Sequence, residues 1–163
     1  MTTLYEAIES KLMRFLFVDR ILELRPGQSI KAEKSISPEE DYFRDHFPGF
    51  PVVPGVLLTE MMAQAAGKCL DAEGGTRGKA MLAQIRSAGF REWVRPGQTA
   101  LIQAEIKNNR EQYASANCSV EVAGTKVCSA DLLFAFLPLR NLATDFRDEV
   151  LDNFLSSQTG KKT

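Results

Sequence analysis

The spacing of apolar residues changes period several times along the chain, and those changes divide it into elements. Residues 3–13 (TLYEAIESKLM) place Leu4, Ile8 and Leu12 at helical intervals, which predicts a short amphipathic helix. FLFVDRILEL, 15–24, is dense in branched and aromatic residues and is closed by Arg25-Pro26-Gly27, which predicts a strand and a turn. SIKAEKSIS, 29–37, alternates apolar or small residues with charged ones, as a half-buried strand paired with its predecessor would. Residues 38–53, rich in Pro, Gly and charge, predict an irregular loop, the kind of segment on which a rigid frame carries its chemistry.

From Pro54 the period becomes helical. Pro54 suits the first helical position, where its missing N–H would have had no partner, and VLLTEMMAQAAGKCL then runs on to a stop at Gly74-Gly75. This helix is apolar nearly all round, and Ala63, Ala65, Ala66 and Gly67 permit close approach to another backbone, so it should lie buried against a sheet. After Gly78, further strands are expected at 80–93, 98–109, 112–123 and 126–137, joined by short hairpin-like connections and therefore mostly antiparallel. Leu142, Phe146, Val150 and Phe154 recur every fourth residue and predict a C-terminal helix over about 140–157, followed by a disordered tail at 158–163. Strands, one long buried helix and then antiparallel strands make an α+β layout, a sheet curled around a single helix.

Composition narrows the function classes. The chain has 163 residues, 44% of them hydrophobic, which suits one domain with a core of its own over about 12–137. A net charge of -1 provides no global field toward nucleic acid or an anionic bilayer, so binding is expected to be local. No apolar run approaches a membrane span, and MTTLYEAIESKLMR lacks the basic, then apolar, pattern of a secretory signal, so a cytoplasmic location is the expectation. Cys69, Cys118 and Cys128 are odd in number and lack CxxC spacing, which points to buried thiols.

The chemistry concentrates in FRDHFPGFPVVPGVLLTEMMAQ, residues 43–64. It holds the only histidine, His46, just upstream of a helix whose second turn carries one carboxylate, Glu60. A lone histidine beside Phe-Pro-Gly is more often a turn residue, and a lone acid more often a paired structural carboxylate. Here the two stand fourteen positions apart within HFPGFPVVPGVLLTEMMAQAAG, 46–67. That segment, with FLFVDRILEL at 15–24 and IRSAGFREWVRPGQ at 85–98, resembles the (3R)-hydroxyacyl-acyl-carrier-protein dehydratases of the FabZ type. The chain departs from that pattern at Ser10–Arg14, where the family has a Pro-His-Arg-Tyr-Pro lead, and at Trp93, where it has proline; a specialised paralogue is as plausible as the housekeeping enzyme.

The resemblance implies the hot-dog fold, a substrate carried on the phosphopantetheine of acyl carrier protein, neither metal nor nucleotide cofactor, and a homodimer, with a trimer of dimers as the larger alternative. It implies that His46 of one subunit works with Glu60 of the other. Removing water from a 3-hydroxyacyl thioester needs a base at Cα, an acid at the departing hydroxyl and a donor to the thioester oxygen. Imidazole near neutral pH suits the first role, His46. A carboxyl desolvated on a buried helix, its pKa raised, suits the second, Glu60. The amide of Gly55 at the helix N-terminus suits the third, as in the family this chain resembles. Gln64, one turn beyond Glu60, is a candidate for holding the carboxyl or a water. Val56, Leu57, Leu58, Met61 and Met62 read as core, partly lining an acyl tunnel by resemblance, and Lys79, Arg86, Arg91 and Arg95 are weak candidates for meeting the carrier protein. The competing readings are a thioesterase on the same scaffold, a dehydratase-isomerase, which typically carries Asp at the place of Glu60, and a catalytically silent acyl-binding subunit.

Overall fold

The computed structural model describes residues 15–141 and 147–159. Six strands form one fully antiparallel sheet: β1 (Arg20–Arg25), β2 (Ser29–Ser35), β3 (Lys79–Phe90), β4 (Thr99–Asn109), β5 (Tyr113–Val122) and β6 (Thr125–Leu137). Their order across the sheet is β1-β2-β4-β5-β6-β3, so β3 leaves its sequence neighbours and takes one edge. The long helix α1 (Gly55–Asp71) packs across β2, β3, β4, β5 and β6. A second helix, α2 (Glu149–Thr159), lies against β1.

Local sequence explains most of the turns. Arg-Pro-Gly-Gln occurs twice, at 25–28 and 95–98, and both copies fold alike. Proline fixes the second turn position, Gly27 and Gly97 take positive φ (67° and 83°), and the Gln N–H donates to the Arg carbonyl at 2.9 and 3.3 Å. Between β5 and β6 the loop is two residues long, Ala123 and Gly124, both at positive φ, which is the hairpin turn whose twist matches that of paired strands.

The core lies between α1 and the sheet. Leu58, Met61, Met62, Ala65, Ala66 and Leu70 from the helix meet Ile30, Ile102, Val120, Leu132 and Phe134 from the strands, all at most 2% exposed. Alanines at 65, 66, 100, 114 and 116 are fully buried, and their small side chains let the helix sit close to the strands. A single antiparallel sheet around one buried helix is the hot-dog architecture expected above.

Several expectations need correction. Residues 15–19 are not strand. Phe17 and Val18 are buried in an extended lead whose Phe17 N–H is taken by a side chain, so β1 begins only at Arg20. Pro54 is the N-cap of α1, not its first helical residue. Its ψ of 134° is extended, and its carbonyl accepts the first bonds, from Leu57 and Leu58. The helix ends at Asp71, ahead of the two glycines, where the Asp71 carboxylate accepts the Ala80 N–H at 2.9 Å and takes Lys79 as an ion-pair partner. The C-terminal helix starts at Glu149 and reaches Thr159, past the predicted end. Leu142, Phe146 and the helix expected at 3–13 fall outside the described residues.

Candidate active site

His46 sits in a loop that closes on itself. Its backbone carbonyl accepts the Val52 N–H at 3.1 Å, and its ring Nδ1 lies 3.0 Å from the Val52 carbonyl. A carbonyl only accepts, so Nδ1 carries a proton, and the neutral tautomer with that proton has its lone pair on Nε2. Within that loop Phe47 and Phe50 exchange backbone bonds at 3.1 and 2.9 Å around Pro48-Gly49, and the Phe47 ring stacks on the imidazole at 4.0 Å. The His46–Phe47 peptide is cis. The imidazole is therefore held at one nitrogen and half-buried, with the other nitrogen available.

Glu60 emerges from α1 between buried Thr59 and Met61 and is half-buried, less sealed than an acid on a wholly buried helix would be. Gln64 holds it. Its Nε2 donates to Glu60 Oε1 at 3.0 Å and to the Phe15 carbonyl at 3.1 Å, while its Oε1 accepts the Phe17 N–H at 2.9 Å. One amide thus ties the carboxylate, the helix and the lead into β1 together, and the same bonds hold Phe15 and Phe17 off the sheet, which the chain first touches where the Asp19 N–H donates to the Glu33 carbonyl at 2.8 Å. The Glu60 carboxylate faces a cavity of about 560 Å³ with Ala63, Gly67, Met81, Leu82 and Phe134 in its wall.

Gly55 opens α1, and neither its N–H nor that of Val56 has a hydrogen-bond partner among the described residues, as the first turn of a helix dictates. A Cβ on Gly55 would stand 3.1 Å from the Phe90 ring, so the glycine lets an exposed aromatic from β3 lie against the helix start. Around this point Phe47, Phe50, Val56, Phe90 and Trp93 are all exposed, Val56 by 75%. The expectation that Val56 belongs to the core is corrected: it precedes the turn at which α1 enters the sheet's concave face, whereas Leu58, Met61 and Met62 are buried.

Within one chain the candidates fall into two groups. Glu60 and Gln64 come together, Gly55 lies at the helix start ahead of them, and His46 does not line the cavity that holds Glu60. The basic candidates also separate. Lys79 is engaged with Asp71, and the Arg95 guanidinium lies over the Phe50 ring at 4.7 Å. Sequence reading passed over Lys68, a buried cation two turns beyond Glu60, whose signal was a charge inside the run AQAAGKCL. The phenol oxygen of Tyr42, just ahead of His46, is buried without a partner among the described residues; burial foremost, then the Glu40 charge, raises its pKa.

Comparison with known proteins places this geometry. The chain is 41% identical to the 3-hydroxyacyl-[acyl-carrier-protein] dehydratase FabZ of Levilactobacillus brevis over 120 residues, covering 73% of this chain and 81% of that one. It is 36% identical to the enzyme of the same name from Listeria monocytogenes over 126 residues, 77% of this chain and 88% of that one. Among solved structures it is similar to the dehydratase heterocomplex ApeI:P of Xenorhabdus doucetiae, with a TM-score of 0.62 at 16% identity over 86% of this chain and 90% of that one. It is also similar to smu.793 of Streptococcus mutans bound to acetyl CoA, with a TM-score of 0.59 at 14% identity over 78% and 95%. These structural likenesses support the shared fold. The FabA-like domain model matches residues 10–131, the span that holds His46, Gly55, Glu60 and Gln64, and the chain belongs to that family.

Proposed function

We propose that this protein dehydrates (3R)-3-hydroxyacyl chains on acyl carrier protein to the trans-2-enoyl thioester, in fatty acid or related acyl-chain biosynthesis in the cytoplasm. The observation that carries the reading is the opposite preparation of two groups: an imidazole whose Nδ1 is committed to a carbonyl, leaving Nε2 as a base, and a carboxyl held by Gln64 at a cavity with an apolar wall from Met81, Leu82 and Phe134. Nε2 of His46 takes the Cα proton, and electron density moves onto the thioester oxygen, which the Gly55 N–H at the positive end of α1 receives. As the Cα–Cβ double bond forms, the C–O bond at Cβ breaks and Glu60 donates its proton to the leaving hydroxyl, which departs as water. His46 keeps the abstracted proton until it passes to the ionised Glu60 or to solvent, and the cycle closes.

The two groups meet across a homodimer in this reading. Support comes from the absence of His46 among the residues lining the Glu60 cavity of the same chain and from the exposed aromatic side chains near the start of α1. The test uses a crotonyl thioester, whose reversible hydration is followed through loss of enoyl absorbance beside any release of free thiol. Hydration without thiol release is the expected result, and thiol release alone identifies a thioesterase. His46→Ala and Glu60→Gln are each expected to lower turnover roughly a hundred- to ten-thousand-fold. Refolding the two dead variants together in equal amounts is expected to restore about a quarter of the sites, since only mixed dimers rebuild an intact pair. No recovery in mixed dimers would rule out the shared site.

A further inference from the structure

The cavity that holds Glu60 is walled in part by a segment beyond the family match. That match ends at residue 131, whereas Asp148 and Val150 line the cavity together with Glu60, Gln64, Lys68 and Phe134. Glu60, Gln64 and Lys68 recur every fourth residue and so form a row along one face of α1. Lys68 is only 5% exposed, and its Nζ is gripped by both carboxylate oxygens of Asp148 at 2.7 and 2.6 Å. The same carboxylate caps α2, accepting the Leu151 N–H at 3.1 Å. Leu151 is buried, and Val150 and Phe154 pack on the core behind it, so one ion pair fixes where α2 starts on the cavity rim.

Eight residues of helix separate Glu60 from Lys68, about 12 Å along the axis. An extended chain advances about 1.2 Å per bond, so an acyl chain laid along this row meets the ion pair after about ten bonds. Hydrocarbon that pushed further would have to part the pair and leave a buried charge without its partner, or lift α2 from the sheet. Beside the row, Ala63 and Gly67 present little side chain to the cavity, and two of its other charged lining residues, Arg147 and Glu149, flank Asp148 in the same wall.

We propose that the Lys68–Asp148 pair and the first turn of α2 form the end wall of the acyl site and, with the third carbon of the chain at Glu60, restrict it to chains of about thirteen carbons or fewer. The restriction rests on the dehydratase reading for its reaction but concerns the cavity alone, so binding and turnover test them separately. Full-length protein is titrated with 2-enoyl pantetheine thioesters of four to sixteen carbons, and kcat/KM is measured on the matching 3-hydroxyacyl series. The wild-type protein is expected to bind the long members at least tenfold more weakly than the medium ones. The double variant Lys68→Met with Asp148→Asn, which removes both charges and keeps a helix cap at 148, is expected to erase at least a tenfold part of that difference. Val150→Phe leaves the pair intact, narrows the same wall, and is expected to move the break toward shorter chains, which covers the case of a double variant that does not fold. A break in binding that moves with these variants supports the wall even where nothing turns over, an outcome that removes only the dehydratase reading. A length profile that is flat in the wild type, or unchanged in the folded variants, overturns it.

Discussion

At His46 one hydrogen bond decides which nitrogen can act, and neighbouring residues show the same dependence of chemistry on a single contact. Tyr42 shows the cost of a missing one: its buried hydroxyl has no partner among the described residues. Tyr42→Phe removes that unsatisfied group while keeping the ring, and is expected to raise stability by about 1 kcal/mol in urea unfolding. A loss of that size would mean that the hydroxyl is bonded. The three thiols show what burial does to acidity. Cys118 is pushed up to about 12, and Cys69 and Cys128 to about 11, in each case chiefly by desolvation. Unfolded thiols ionise near 9, so above that pH the unfolded state has released protons that the folded state still holds. Their contribution to stability is therefore complete below pH 9 and declines as pH rises from there through the folded values. The denaturant midpoint is expected to fall across that window, and to fall less in a Cys118→Ala variant.

Among the elements, the β5–β6 hairpin carries a residue at odds with its turn. Ala123 has a φ of 50°, a conformation that costs an alanine roughly 1 kcal/mol and that asparagine tolerates better. Ala123→Asn is expected to raise the melting temperature by a few degrees, and no change would place the turn in another geometry. The Arg-Pro-Gly-Gln turns and the antiparallel strands were legible because proline and glycine set local angles and the apolar period sets the face. Residues 15–19 were not legible as a lead outside the sheet, because their strand-like composition serves a different purpose. Phe17 N–H is committed to Gln64, forty-seven residues away. The exposure of Val56 was equally invisible, since a valine in an apolar helix gives no sign of which turn precedes entry into the core.

On the scale of the whole molecule, β3 is the outlier. It is twelve residues long, is paired only with β6, and from Met81 onward every residue is exposed, including Met81, Leu82, Ile85 and Phe90. A long apolar edge of this kind is a template for another strand unless something covers it. A homodimer pairing through this edge would cover it, and in the reading proposed above the same contact would bring His46 of one copy toward Glu60 of the other. Ile85→Arg places a charge on a side chain already 49% exposed, so the single chain should lose little stability. Sedimentation is expected to show a monomer, and hydration of the crotonyl thioester is expected to fall with the dimer. An Ile85→Arg monomer that retained full activity would show each chain to be complete.

The sequence alone determined the order and type of the elements, because side-chain period and turn residues act over a few positions. It also offered His46 and Glu60 as the candidate base and acid, because their spacing resembles that of a known family. Only the tertiary structure decided that Nδ1 rather than Nε2 of His46 faces the Val52 carbonyl, that Gln64 also takes the Phe17 N–H, and that Lys68 meets Asp148 eighty residues away. The last two join segments forty-seven and eighty residues apart, and their geometry exists only once the helix has been buried against the sheet.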